Sequence, residues 1–509
     1  MLPTPKPTQS YWTRTPIPIP DSPPPPSLPD SSETTILILG TGISAVSAAY
    51  SLLALTPATT RLLVLDARSP CDGATGRNGG HCKLVPHEEL AKLTKRFGEE
   101  SAVELVRFQM RHLECLRAIC RLVDDEVARD EQEERGTEFR DVETVDIYLG
   151  KELFEEAKEK VERLRTAMPD VHVQVWEPTE ARERFGVNAL SHGAISYPAG
   201  AVFPYRLVTN LWTYLVKTYP SRVTILPHTP VISISASSSP PLQVHTPNNV
   251  FSAHHVIHTT NAYATHLLPN LKPNLTPVRA HMTAQSPGMF FPAPDVPGSR
   301  SWSIIYSTGF DYVTQRPASS QGDLLIGGGW ARSALQGQDA VGVSNDGEVD
   351  VYTIAHLTGI LPALFSPNWG LSTGLDSVWS GIIAVTGDGL PFVGQLTPAM
   401  TGRPVVTEPT DNNDEEAYSP QEFGEWIAAG YNGEGMVYAW LCASALAIRV
   451  AGQENIDREP RTGVPGGRLS DWFPAELWIT ELRLQASVLS SDPALVFSPP
   501  VLTSKREEA

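Results

Sequence analysis

A chain of 509 residues with a 41% hydrophobic and a 19% charged share has globular composition and exceeds one ordinary core, so two sequential or interleaved domains are expected. The net charge of −18 would repel nucleic acid and anionic membrane, which leaves small molecules as the expected ligands. Cys71, Cys82, Cys115, Cys120 and Cys442 contain no CxxC pair, which fits a reducing compartment and suggests neither a disulfide framework nor a metal site. With no leader-like N terminus and no apolar run of transmembrane length, a cytoplasmic location is expected.

Residues 1–33 carry Pro3, Pro5, Pro7, Pro16, Pro18 and Pro20 and four consecutive prolines at 23–26, a composition that predicts a disordered, polyproline-like tail. The apolar run at 36–39 then breaks into Gly40-Thr41-Gly42 and resumes with helical spacing at Ile43, Val46, Ala49, Tyr50 and Leu53. A strand without polar alternation is expected where a parallel sheet is covered on both faces. Gly40 supplies the turn, Gly42 lets backbone approach a pyrophosphate, and Ala45 takes the third, small position of a dinucleotide-binding fingerprint. A second buried strand at 61–65 ends in Asp66, an acid suited to accept from both ribose hydroxyls of an adenosine. Residues 71–82 hold four glycines, which predicts a loop lying close against the bound dinucleotide.

Periodicity predicts one helix over 87–129, a strand at 144–149 and helices at 151–168 and 204–217. Short strands follow at 223–226, 231–234 and 255–260, a return to the nucleotide sheet. A strand-rich stretch from 277 to 329 suggests a separate β-rich domain, with candidates at 302–306, 311–314 and 324–326. A helix at 346–364, a strand at 426–429 and a buried helix at 441–450 complete the pattern, and the acidic residues 411–416 read as a solvated insertion.

Four separated stretches together resemble the D-amino-acid-oxidase-type, or glycine/sarcosine oxidase-like, family of FAD-dependent oxidoreductases. They are the fingerprint with Asp66; 73–81 (GATGRNGGH); Trp379 through 386–394 (TGDGLPFVG); and 429–436 (AGYNGEGM). Residues 198–206 and 259–263 share the likeness, which spans roughly 34–455. It implies an α/β architecture: a Rossmann-type FAD-binding domain from 34–86, 195–275 and 370–460, with an interleaved α+β substrate domain from 87–194 and 276–369 roofing the flavin. Residues 461–509 would form a C-terminal extension.

Carried over position by position, the resemblance assigns Gly40, Thr41, Gly42, Ile43 and Ser44 to FAD, with Asp66, Ala67 and Arg68 at the adenosine. The glycine-rich loop adds Ala74, Thr75, Gly76, Arg77, Asn78, Gly79, Gly80 and His81. A late turn adds Gly433, Glu434, Gly435 and Met436, and Val231 would contact adenine through its backbone. Relatives that tether flavin do so through a cysteine or histidine where Trp379 and Arg77 stand, so FAD is expected to be noncovalent. The segment 324–329 lacks the lysine that oxygen-reactive relatives place near the flavin, which leaves the electron acceptor open.

The expected reaction is oxidation of a C–N bond of an amine or amino acid by hydride transfer to flavin. A flavin monooxygenase or hydroxylase, or a non-catalytic flavoprotein, is the alternative. No side chain is named as catalytic acid or base. Alternation in the expected strand at 311–316 puts Tyr312 and Arg316 toward flavin and substrate, with Arg316 as a fork for a substrate carboxylate.

Overall fold

In the computed structural model, residues 1–20, 34–130, 135–236, 242–292, 296–320, 322–372, 374–404 and 423–489 are described. The strands in chain order are β1 Thr34–Leu39, β2 Thr60–Leu65, β3 His81–Cys82, β4 Arg140–Tyr148, β5 Gln174–Trp176, β6 Ala194–Ala201, β7 Val223–Leu226, β8 Ser233–Ser235 and β9 Leu242–His245. They continue as β10 Val250–Ala253, β11 His255–His258, β12 Leu275–Gln285, β13 Arg300–Tyr306, β14 Gly309–Gln315, β15 Leu324–Gly328, β16 Leu375–Thr386, β17 Phe392–Gln395 and β18 Gly424–Ala429. The main helices are α1 Ile43–Leu55, α2 Pro86–Phe97, α3 Glu99–Arg129, α4 Lys151–Ala167, α5 Pro178–Phe185, α6 Pro204–Thr218 and α7 Val351–Phe365. The short α8 Pro398–Thr401, then α9 Ala439–Val450 and α10 Glu481–Ala486, complete them.

The fingerprint strand sits in the middle of a six-stranded sheet of order β17-β18-β11-β1-β2-β7, parallel except for the β17 edge. Its lack of alternation follows from burial on both faces. Ile36 and Ile38 join the helix-side core, whereas Leu37 and Leu39 face the three-stranded meander β8-β9-β10. On the helix side α1 lies close against α9 because their facing residues are small. Ser47 donates to the Trp440 carbonyl at 2.5 Å and meets Ser444 at 3.0 Å.

The second sheet has nine strands, β16-β12-β15-β14-β13-β4-β6-β3 with β5 beside β6. Period-two alternation divides its faces. Val145, Ile147, Trp302, Ile304, Val313 and Ile326 bury outward against Phe185 of α5 and Leu357 and Leu361 of α7. The intervening positions Asp146, Ser303 and Tyr312 face the cavity shared with the nucleotide sheet. The α/β architecture with a β-roof is as expected.

Four local features differ from the expectation. The helix predicted over 87–129 breaks at Gly98, whose φ of +84° ends α2 and starts α3. The strand expected at 231–234 is β8, two residues later. Strands β6 and β16 join the nine-stranded sheet although they fall within pieces assigned to the FAD domain. The tail expected to be disordered is folded onto the protein over its first twenty residues, with Ser10 and Trp12 buried. The remainder of that tail and the acidic insertion at 411–416 lie outside the described residues.

Among the described residues all five cysteines are free, and no group of three His, Cys, Asp or Glu side chains gathers to hold a metal. No described helix is long and apolar enough to cross a membrane.

Candidate active site

The first turn is built by Gly40, at φ +103°, whose N–H donates to the Leu65 carbonyl at 2.8 Å. That bond sets the end of β2 beside the start of α1. Asp66 is fixed there by Thr41, whose hydroxyl donates at 2.5 Å, and by the Arg68 N–H at 2.9 Å. Burial pushes the Asp66 carboxyl above its ordinary range, against the pull of these donors. Each Asp66 oxygen keeps a lone pair for a ribose hydroxyl. Gly42 caps α1, and the next N–H, of Ile43, donates to Thr75 Oγ1 at 3.1 Å, which ties the fingerprint to the glycine-rich loop.

A cavity of about 1150 Å³ runs from this turn to the nine-stranded roof. That exceeds the roughly 300–1,000 Å³ of ordinary small-ligand pockets, so it accommodates an extended ligand and a substrate. Gly40 through Ser44, Asp66 through Arg68 and Val231 line one end of it. Ala74, Thr75, Arg77, Asn78, Gly79 and His81 line its middle. Gly433 through Met436 form a further wall, at a turn where Asn432 and Gly433 both have positive φ.

The residues fit a bound FAD. One carboxyl oxygen of Glu434 is buried without a partner among the described residues, and it belongs to a cavity-lining side chain. Burial, and then the charge of Glu89, push the Glu434 carboxyl above its ordinary range.

Three residues expected at the site stand elsewhere. Gly76 and Gly80 back the loop rather than line the cavity. A Cβ on Gly76 would fall 2.1 Å from the Cys71 carbonyl oxygen, and one on Gly80 would fall 2.2 Å from that of Val202. Their glycine identity answers close backbone packing. Arg316 faces away from the cavity. It follows the last residue of β14, and its guanidinium forks onto Glu138 while also donating to Tyr11 Oη at 2.9 Å and Ser320 Oγ at 2.8 Å. Arg68 and Arg77 do line the cavity, yet their guanidinium groups are committed to the protein. Arg68 pairs with Asp346 at 3.0 Å, and Arg77 donates to the Ser380 carbonyl at 2.8 Å.

Tyr312 does face the cavity, close enough to Gly79 that a Cβ there would meet its ring at 2.6 Å. Unanticipated beside it is Lys83. Its ammonium, almost fully buried, pairs with Asp146 of β4 and donates to Ser303 Oγ of β13 at 2.6 Å. Tyr197 donates to the other Asp146 oxygen at 2.6 Å. Burial lowers the Lys83 ammonium from its usual range against the pull of Asp146. The segment 324–329 has no lysine, but Lys83 reaches beneath the roof from the chain just past β3. The signal available in the sequence was alternation: Lys83 is two residues beyond His81 and shares its side of an extended segment.

Trp379, at the expected tether position, is fully buried and donates its indole N–H to the Arg77 carbonyl at 2.8 Å. Neither Trp379 nor Arg77 offers a nucleophile to a flavin.

A family model described as FAD dependent oxidoreductase (DAO) matches residues 35–449. The chain belongs to the DAO family and is an FAD-dependent oxidoreductase. Its fold is similar to that of glycine oxidase from Geobacillus kaustophilus (18% identity, TM-score 0.59, covering 82% of this chain and 95% of that one). It is similar also to iminodiacetate oxidase from Chelativorans sp. BNC1 (16%, TM-score 0.56, 86% and 98%) and to L-amino acid deaminase from Proteus vulgaris (12%, TM-score 0.57, 86% and 96%). No curated protein matches the sequence significantly.

Proposed function

We propose that this protein oxidises a C–N bond of an amino acid, using noncovalently bound FAD. The observation that carries the reading is Lys83, a buried cation under the roof, facing the same cavity as the fingerprint, Asp66 and Gly79. Its bonds to Asp146 and Ser303 use two of three ammonium donors. The third is available to a substrate carboxylate, a role closed to Arg316 because Glu138 occupies its fork. The likeness in fold to glycine oxidase, iminodiacetate oxidase and L-amino acid deaminase supports this choice.

When bound, FAD supplies the two-electron acceptor for a hydride leaving the carbon next to nitrogen. The protein's share is placement and exclusion of water. Lys83 and Ser303 hold the acidic end of the substrate, while Tyr312 and Met282 close the roof over Gly79. An amine that enters neutral needs no side-chain base, and the released imine hydrolyses in water. Five free cysteines, four of them buried, agree with a cytoplasmic setting.

Turnover with a dye as acceptor tests the reading. Amino acids should reduce the dye with no NADPH present, whereas an absolute requirement for NADPH would identify a hydroxylase instead.

A further inference from the structure

Three alternate residues of the N-terminal segment hold three consecutive residues of the glycine-rich loop. The Ser10 hydroxyl donates to the Gly76 carbonyl at 2.6 Å, Arg77 donates to the Thr8 carbonyl at 2.7 Å, and the Trp12 indole N–H donates to the Asn78 carbonyl at 2.5 Å. Trp12 is buried with its ring centroid 4.5 Å from that of Phe203. It also lies so near the loop that a Cβ on Gly80 would come within 3.2 Å of its ring.

The same segment is fastened to the roof. Thr8 Oγ1 donates to the Asp346 carbonyl at 2.9 Å and accepts from the Ser380 N–H of β16 at 3.0 Å. Tyr11 donates to Asp323 at 2.7 Å, and its ring stacks on Trp379 at 6.5 Å between centroids. The loop is therefore held between two surfaces. Thr75, Asn78 and Gly79 line the cavity on one side, and the N-terminal segment bonds the other.

We propose that residues 8–13 are a strap that positions the glycine-rich loop against the flavin, with Trp12 and Ser10 as its positioning residues. This rests on the assignment of the cavity to FAD. Without the strap the Gly76 and Asn78 carbonyls lose the partners given above, and a loop of four glycines has little of its own to fix it. The strap supplies from outside the rigidity that close backbone approach to a ligand requires.

The test is Trp12→Phe, which keeps an aromatic ring against Phe203 while deleting the N–H donor and one ring of the indole, with Ser10→Ala, which removes a single hydroxyl, as an independent second variant. Each apoprotein is titrated with FAD by fluorescence quenching, and the visible circular dichroism of the bound flavin is recorded. The expected result is about tenfold weaker FAD binding, the cost of one unsatisfied buried carbonyl, with an altered flavin signal. A purely structural role would lower the melting temperature of the apoprotein and leave the affinity and the flavin signal of the folded fraction intact. Unchanged affinity and signal in both Trp12→Phe and Ser10→Ala would overturn the strap. Failure of the wild-type apoprotein to bind FAD would overturn the cavity assignment itself.

Discussion

Gly42→Val is expected to purify with little of its FAD. Gly42 has φ −73° and ψ −172°, a conformation any residue adopts, so the cost arises from space and not from backbone strain. A Cβ at this position falls 3.0 Å from Thr75 Oγ1, the acceptor for the Ile43 N–H that joins fingerprint and loop. A branched side chain must push Thr75, and the loop with it, out of the cavity wall. Overpacking of this kind costs about 1–3 kcal/mol, which corresponds to roughly fivefold to 150-fold weaker FAD binding. The measurement is flavin absorbance per protein, followed by acid precipitation. Flavin should appear in the supernatant in both proteins and in smaller amount from the variant. Full occupancy in Gly42→Val would contradict this account of the fingerprint, and a pellet that stays yellow would contradict noncovalent binding.

Arg316→Ala is expected to destabilise the protein and to leave substrate affinity alone. Its removal leaves the half-buried Glu138 with a fork unfilled, although Arg206 still reaches that carboxylate at 2.9 Å. Breaking a buried pair costs about 3–5 kcal/mol, and the remaining arginine places the effect at the low end, about 3 kcal/mol. The loss also removes the cation stacked over Tyr11, Trp12 and Phe203, so the N-terminal segment loosens too. The check is the midpoint of thermal or urea unfolding together with KM for an oxidised amino acid. A raised KM at unchanged stability would return Arg316 to the substrate site.

The fingerprint was legible because its chemistry is local: an apolar strand, a turn that only glycine tolerates at φ +103°, and an acid at the end of the next strand. Strand alternation likewise placed Tyr312 on the cavity side and Val313 in the core. Arg316 shares the parity of Tyr312, but parity holds only inside a strand, and β14 ends one residue earlier. Its partner Glu138 is distant in sequence, so nothing local announces the pair. The N-terminal segment was obscured by composition. Prolines argue against ladders and helices, yet Ser10, Tyr11 and Trp12 need neither to bond a loop through side chains. Gly98 was lost inside an apolar pattern that continues on both sides of it. Lys83 shares the side of His81 in an extended segment, but that alternation does not reveal its partners Asp146 and Ser303, which come from two other strands.

The most direct test of the central claim is anaerobic mixing of the FAD-loaded protein with amino acids and with the corresponding decarboxylated amines, followed by flavin absorbance. The account predicts bleaching of the long-wavelength band by an amino acid without NADPH, slower bleaching by its amine, and loss of that preference in Lys83→Met. A flavin that no amino acid or amine bleaches, or that only NADPH bleaches, would contradict it.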